Sequence, residues 1–280
     1  MYYLQKLISI TYTNAREIAS QFINREYYPV PRIDSDLFIV EFPKSGGTWL
    51  SFLIANANLL VNLEQTQVTL FNINDLIPDV QSFRFMPPSS STKAPGYRVF
   101  KSHATYNRRY RKIVYLARDP RHVMVSYWIF LRELGQWTGS FEMFVRNRRY
   151  GIRAWREHVG GWMEKIDAAA SFTVLRYEDL LLNADAEIQR LYRFFGLPLS
   201  GDLVGEAVKR SRIENLREIE SEYNSRHPTL GNMNFFRKGN LGGMREQVSE
   251  AALQYIEENA GDIMKKLGYE CSGGNIASRS

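Results

Sequence analysis

The sequence predicts an α/β protein of P-loop-like build, a single domain with a central parallel β-sheet and helices on both faces. Three observations carry that expectation. Residues 36–42 (DLFIVEF) form a short, mostly apolar run rich in β-formers that stops at Pro43, as a strand buried on both faces does before a loop. A turn at 44–47 and a helical pattern over 48–60 (TWLSFLIANANLL) follow at once, with Trp49, Leu50, Leu53 and Ile54 on one face and Thr48 near the N-cap. Strand-like and helix-like segments then alternate, as they do when parallel strands are joined by crossover helices.

Further strands are expected at 97–101 (YRVFK), 112–117 (KIVYLA) and 172–176 (FTVLR). Pro120 opens a helix that runs to about Glu133, 177–182 and 184–195 are helical in succession, and 247–267 reads as a long C-terminal helix. Segments 72–96 and 222–234, rich in Pro, Ser, Asn and aromatics without a clear period, read as loops. Loops of that length in a compact domain are usually functional lids or disordered. Candidate functional segments run from Pro43 to Gly239 with no linker between two cores, so one domain is expected over 1–272 and a flexible tail over 273–280.

Composition narrows the class. With 44% hydrophobic and 24% charged residues the chain belongs with folded globular proteins, away from disordered or collagen-like extremes. The single cysteine, Cys271, cannot form an internal disulfide, which fits a reducing compartment. No signal-peptide pattern opens the chain and no run of 18 apolar residues occurs, so a cytoplasmic protein without a membrane span is expected. The net charge of +6 favours an anionic partner. The cluster Arg108, Arg109, Arg111 and Lys112 reads as a solvated loop, and the other basic residues sit at separated loop positions. That spacing argues against the continuous basic face a nucleic-acid binder needs.

The first segment with chemical content is Pro43-Lys44-Ser45-Gly46-Gly47-Thr48-Trp49, between a buried strand and a helix. Glycines let backbone N–H groups approach a phosphate, the helix N-terminus adds positive potential, and Lys44 supplies a full charge. The lysine precedes the glycines, so this is not a Walker A loop. PKSGGTWL resembles the 5′-phosphosulfate loop of the cytosolic-type sulfotransferases, usually PKSGTTW, with Gly47 where the family commonly has threonine.

The resemblance extends along the chain. Arg118, at a strand end, and Ser126, two turns along the next helix, are spaced to share one phosphate. Their segment is similar to the family's 3′-phosphate motif; taken alone, it reads equally as a salt-bridged Arg-Asp-Pro helix start. Phe236-Arg237-Lys238-Gly239 resembles the family's RKGxxGDW loop, with Gly243-Met244 in place of Asp-Trp. The resemblance implies that Arg237, Lys238 and Gly239 reach the 3′-phosphate. Phe100-Lys101-Ser102-His103 closes a strand where a parallel sheet faces its ligand. His103 matches the histidine of the family's KTH element and is the candidate base. Lys101 matches the lysine that steadies the leaving phosphate. Trp49 and Tyr177 resemble the adenine-contacting tryptophan and tyrosine, and Ser211 a further nucleotide contact, with Ile213 where an adenine-stacking phenylalanine is often found.

The resemblance therefore implies a metal-independent sulfotransferase that uses PAPS (3′-phosphoadenosine 5′-phosphosulfate) as donor and releases PAP. In-line transfer to an acceptor hydroxyl would use His103 as general base, with Lys44 and Lys101 offsetting charge on the departing oxygen. The rivals are a P-loop-type small-molecule kinase, which needs magnesium and ATP, and a non-catalytic binder of nucleic acid or anionic polysaccharide. Aromatic residues in the segments 72–96, 129–162 and 222–234, read as acceptor-side loops, suit a small-molecule, lipid-linked or glycan hydroxyl. His122, His158 and His227 fit no motif and are expected to be structural or exposed. The C-terminal region carries no match to the family's short dimerisation motif, so no oligomeric state is assigned.

Overall fold

The computed structural model describes residues 34–81, 93–94, 97–166, 171–226, 236 and 248–271. Strand β1 (Leu37–Glu41) lies at the centre of the sheet. A two-residue strand β2 (Lys93–Ala94) pairs antiparallel with β3 (Tyr97–Ser102), and β3 lies parallel beside β1. On the other side β1 pairs parallel with β4 (Lys112–Ala117), which pairs parallel with the edge strand β5 (Ser171–Arg176). The spatial order is β2-β3-β1-β4-β5.

Alternation along the strands divides the interior in two. Leu37 and Ile39 of β1, Val114 and Leu116 of β4, and Leu175 of β5 point into one core. The covering helices there are α1 (Gly47–Val61), α7 (Ala184–Phe195) and α8 (Gly201–Arg210). Phe38, Val40, Ile113 and Tyr115 point into the other. That face is closed by α3 (Pro120–Glu133), α4 (Phe141–Arg146), α5 (Ile152–Met163) and α10 (Glu250–Lys266). Helices on both faces of a parallel sheet are the expected architecture, and β4, α3 and α7 fall on the expected residues.

Helix α6 (Tyr177–Leu182) follows β5 directly, as read from the sequence. Several expectations need correction. Segment 72–96 contains a short helix, α2 (Ile73–Leu76), and α9 (Ile213–Arg226) extends into the expected loop at 222–234. Segment 129–162 is mostly helical rather than an acceptor-side loop. Its large aromatics Phe141, Phe144, Trp155 and Trp162 are core residues on the second face, because they recur at helical spacing and dock on the sheet. The C-terminal helix starts at Glu250, where Ser249 caps it by accepting from the Ala252 N–H. Among the described residues no helix is long and apolar enough to cross a membrane. The expected tail at 273–280 lies outside the described residues.

Candidate active site

The four parallel strands all present their C-terminal ends to one edge of the sheet, and each end carries a residue singled out by the sequence. β1 delivers the loop 43–46, β3 delivers Lys101 and His103, β4 delivers Arg118, and β5 delivers Tyr177. In open α/β sheets this carboxyl edge is where ligands bind.

The loop makes its turn with two residues in the left-handed region, Lys44 at φ 72° and Gly46 at φ 110°. Gly46, not Thr48, is the N-cap of α1, and as glycine it offers no capping side chain of its own. The reason is steric: the chain must leave β1 through a left-handed residue, and a Cβ at Gly46 would lie 2.5 Å from Tyr177 Cδ2. The Leu50 N–H starts the helical ladder by bonding to the Gly46 carbonyl, so the N–H groups of Gly47, Thr48 and Trp49 precede it. The Gly47 N–H is taken by the Glu41 carboxylate at 2.6 Å, so an anion at this helix start would be met by the Thr48 and Trp49 end of the turn.

Arg118 lies against this loop. Its NH1 donates to the Lys44 carbonyl at 3.0 Å and its guanidinium covers the Tyr177 ring at 4.3 Å. Asp119 does not pair with Arg118. It caps α3 through the Arg121 N–H and chelates the Arg121 guanidinium, which also reaches Glu257. The salt-bridged helix start is therefore made by Arg121, and Arg118 remains directed at the loop. Its Nε is buried without a hydrogen-bond partner among the described residues. A buried guanidinium N–H left in this way is suited to an anionic ligand.

Tyr177 meets the Trp49 ring edge-on at 5.7 Å, and Trp49 Nε1 donates to the Ser211 carbonyl at 3.0 Å. Lys44, Gly46, Trp49, Arg118, Tyr177 and Ser211 are thus one contiguous group. Ser211 itself is buried, and its hydroxyl accepts from Asn56 Nδ2, so in this arrangement it anchors Trp49. Ser126 is half-buried on α3. The Lys44 ammonium rests over Phe130 of the same helix at 4.1 Å. Phe236 is a core residue, edge-on to Phe52, with its carbonyl held by Arg217 Nε and its N–H by the buried Glu220. Arg237, Lys238 and Gly239, the expected 3′-phosphate contacts, lie outside the described residues.

The second half of the site is built around His103. Its backbone is clamped on every side. The His103 N–H donates to Gln81 Oε1 at 2.6 Å, and its carbonyl accepts from His158 Nε2 at 3.2 Å. The Ala104 carbonyl accepts from Trp162 Nε1 at 2.9 Å, and Ser102 Oγ joins Gln81, Tyr110 and the Ala104 N–H. Burial, and less strongly the neighbouring His103, push His158 down to about 3, so it is neutral. It donates from Nε2 to the carbonyl and accepts the Tyr115 hydroxyl at Nδ1. This confirms a structural part for His158.

The imidazole of His103 is a quarter exposed. Nδ1 lies 3.1 Å from the Glu41 carbonyl, which can only accept, so Nδ1 carries the proton and Nε2 is left as the basic nitrogen. Asp79 Oδ2 stands 3.6 Å from Nε2. Lys101 is held by a carboxylate the sequence reading passed over: Glu41, the last residue of β1, lies 3.2 Å from Lys101 Nζ and accepts the Gly47 N–H at 2.6 Å. Burial works against the Lys101 ammonium, but the Glu41 and Asp79 carboxylates outweigh it and its pKa is raised. The amine is charged at neutral pH. Glu41, Asp79 and Gln81 carry no motif; the one available signal was a carboxylate closing an otherwise apolar buried strand.

A helix start at the sheet's carboxyl edge, an arginine packed on the loop before it, and a lysine and histidine at the end of the neighbouring strand suit a transferase that acts on an anionic nucleotide-like donor. The sulfotransferase domain model matches residues 34–268, and the chain belongs to that family. Sulfotransferase 1C2 of Rattus norvegicus is 28% identical over 243 residues, covering 80% of this chain and 81% of that protein. Cytosolic sulfotransferase 12 of Arabidopsis thaliana is 25% identical over 264 residues, covering 85% and 80%. Among solved structures, retinol dehydratase in complex with androsterone and inactive cofactor PAP aligns with a TM-score of 0.63 at 22% identity, over 89% of this chain and 85% of that one. Mouse sulfotransferase SULT7A1 complexed with PAP aligns at 0.60 and 17%, over 84% and 85%. These two likenesses speak for the fold. The protein is a PAPS-dependent sulfotransferase, an enzyme of sulfuryl transfer.

Proposed function

We propose that this chain transfers the sulfuryl group of PAPS to the hydroxyl of a small, partly apolar acceptor, with His103 as general base. The observation that carries the proposal is the geometry of His103: its N–H and carbonyl both fixed, Nδ1 committed to the Glu41 carbonyl, and a quarter-exposed imidazole whose Nε2 is left facing Asp79. When bound, PAPS supplies an electrophilic sulfuryl group on a phosphate leaving group. Lys44, Ser45, Gly46, Gly47 and Thr48 would hold the 5′ end, where the helix start and two ammonium groups offset negative charge. Arg118 and Ser126, with Arg237 and Lys238, would hold the 3′-phosphate, and Trp49 and Tyr177 would border the base. Nε2 takes the acceptor's proton, and the imidazolium so formed is stabilised by Asp79.

The acceptor class rests on two half-buried aromatics near Lys44: Phe130 lies under its ammonium, and Tyr127 packs edge-on against the buried Phe42. Aromatic side chains beside the donor lysine favour a phenol or apolar alcohol as acceptor. A cytosolic place of action belongs to the same proposal and is supported by the cytosolic relative from Arabidopsis thaliana.

A screen of phenols and alcohols with 35S-labelled PAPS tests it directly. His103→Ala should lower turnover by about 1,000-fold while PAP affinity stays within about 3-fold. Near-normal turnover in that variant would remove His103 as the base.

A further inference from the structure

The Glu41 carboxylate occupies the position where the family loop commonly has a threonine side chain. Glu41 is 2% exposed and has two partners, the Gly47 N–H and the Lys101 ammonium. A Cβ added at Gly47 would overlap both of its carboxylate oxygens. Glycine at 47 is therefore not a simple loss of a hydroxyl: the space is filled from below, by a side chain on the preceding strand. An extended carboxylate here also places one negative charge beside the first turn of α1, where the donor's own anionic end is expected. A charge in that place opposes anion binding. Its compensating effect is to hold Lys101, whose other close carboxylate, Asp79, also faces Nε2 of His103.

We infer that Glu41 is a positioning residue that fixes the Lys101 ammonium for the leaving group, and that Gly47 is its partner, because a side chain at 47 would push the Glu41 carboxylate out of the place from which it holds Lys101. This rests on the sulfotransferase reading of the site. It predicts a split between binding and turnover that a packing role would not give. In Glu41→Gln the amide keeps the shape and can still accept the Gly47 N–H, but Lys101 loses its counter-charge and the donor site loses a repulsion. PAP should bind about 3-fold more tightly or unchanged, while kcat falls by about 100-fold.

The glycine half has its own test. Gly47→Ala alone should weaken PAP by about 30-fold, and the same change in a Glu41→Ser background should cost less than about 3-fold, because the overlap is gone.

PAP affinity by calorimetry, kcat with labelled PAPS on the fastest acceptor of the screen, and melting temperature would be measured on each variant. Loss of PAP affinity and kcat together in Glu41→Gln, or a kcat equal to wild type, would overturn the positioning role. Equal cost of Gly47→Ala in both backgrounds would overturn the pairing. Wild-type protein that binds no PAP would sink the enzyme reading and this inference together; wild-type binding with a normal Glu41→Gln sinks this inference alone.

Discussion

Replacing Arg118 with glutamine separates the two ends of the donor. The guanidinium spends NH1 on the Lys44 carbonyl and its face on Tyr177, and its buried Nε has no hydrogen-bond partner among the described residues. The N–H groups left over would meet a phosphate through charge-assisted hydrogen bonds, for which a total of about 3 kcal/mol is a fair expectation. That is a loss of about 100-fold in PAP affinity. Glutamine can still reach the Lys44 carbonyl, so the loop should suffer no more than about 1 kcal/mol, or about 5-fold, for any ligand of the 5′ end. Calorimetric titration of PAP and of 5′-AMP into both proteins reads the difference, with melting temperature as the control for folding. Selectivity for PAP over 5′-AMP should fall by about 20-fold, the ratio of those two losses. Equal losses for the two nucleotides would refute the assignment of Arg118 to the 3′-phosphate.

Two more outcomes are expected. Gly46→Ala should weaken PAP by more than about 10-fold in titration, since the left-handed φ of 110° and the nearby Tyr177 ring both resist a methyl group; affinity within about 2-fold of wild type would contradict that steric account. His158 is held neutral, with its pKa depressed from 6.5 to about 3, so the unfolded chain binds more protons than the folded one between those values. Stability is then complete above about pH 6.5 and is lost as pH falls toward 3, by up to about 1.4 kcal/mol per pH unit. In denaturant titrations across this window His158→Gln should flatten the slope, and an unchanged slope would place the titration elsewhere.

The fold was legible because its strongest elements are local. β4 needs only a run of apolar β-formers, α3 starts at an Asp-Pro pair that caps and opens a helix, and α7 ends at Gly196 in the left-handed conformation. Helices α4, α5, α8 and α9 were not read because their apolar positions are interleaved with aromatics and charges, and only docking on the sheet shows which face is buried. Residue type puts the cap near Thr48, whereas the turn out of β1 demands a left-handed glycine two residues earlier.

The site divides in the same way. Lys44, Lys101, His103, Arg118 and Tyr177 stand out in the sequence because they close strands or follow them in recognisable motifs, and the fold brings them to one sheet edge. Glu41, Asp79 and Gln81 were missed because their importance lies in which strand neighbours which. Pairing of Val40 with Ser102 brings the end of β1 beside the end of β3 and hence Glu41 to Lys101. Ser211, expected at the ligand from its motif, is buried with its hydroxyl accepting from Asn56 and its carbonyl from Trp49.

In the proposed complex one nucleotide is held by both of its anionic ends, at the start of α1 and at Arg118. A thermal-shift comparison of wild-type protein with PAP, 5′-AMP and ATP plus magnesium tests it most directly. PAP should raise the melting temperature well beyond 5′-AMP at equal concentration, with ATP and magnesium giving no larger shift than 5′-AMP. A shift from ATP and magnesium that exceeds the shift from PAP would contradict the account.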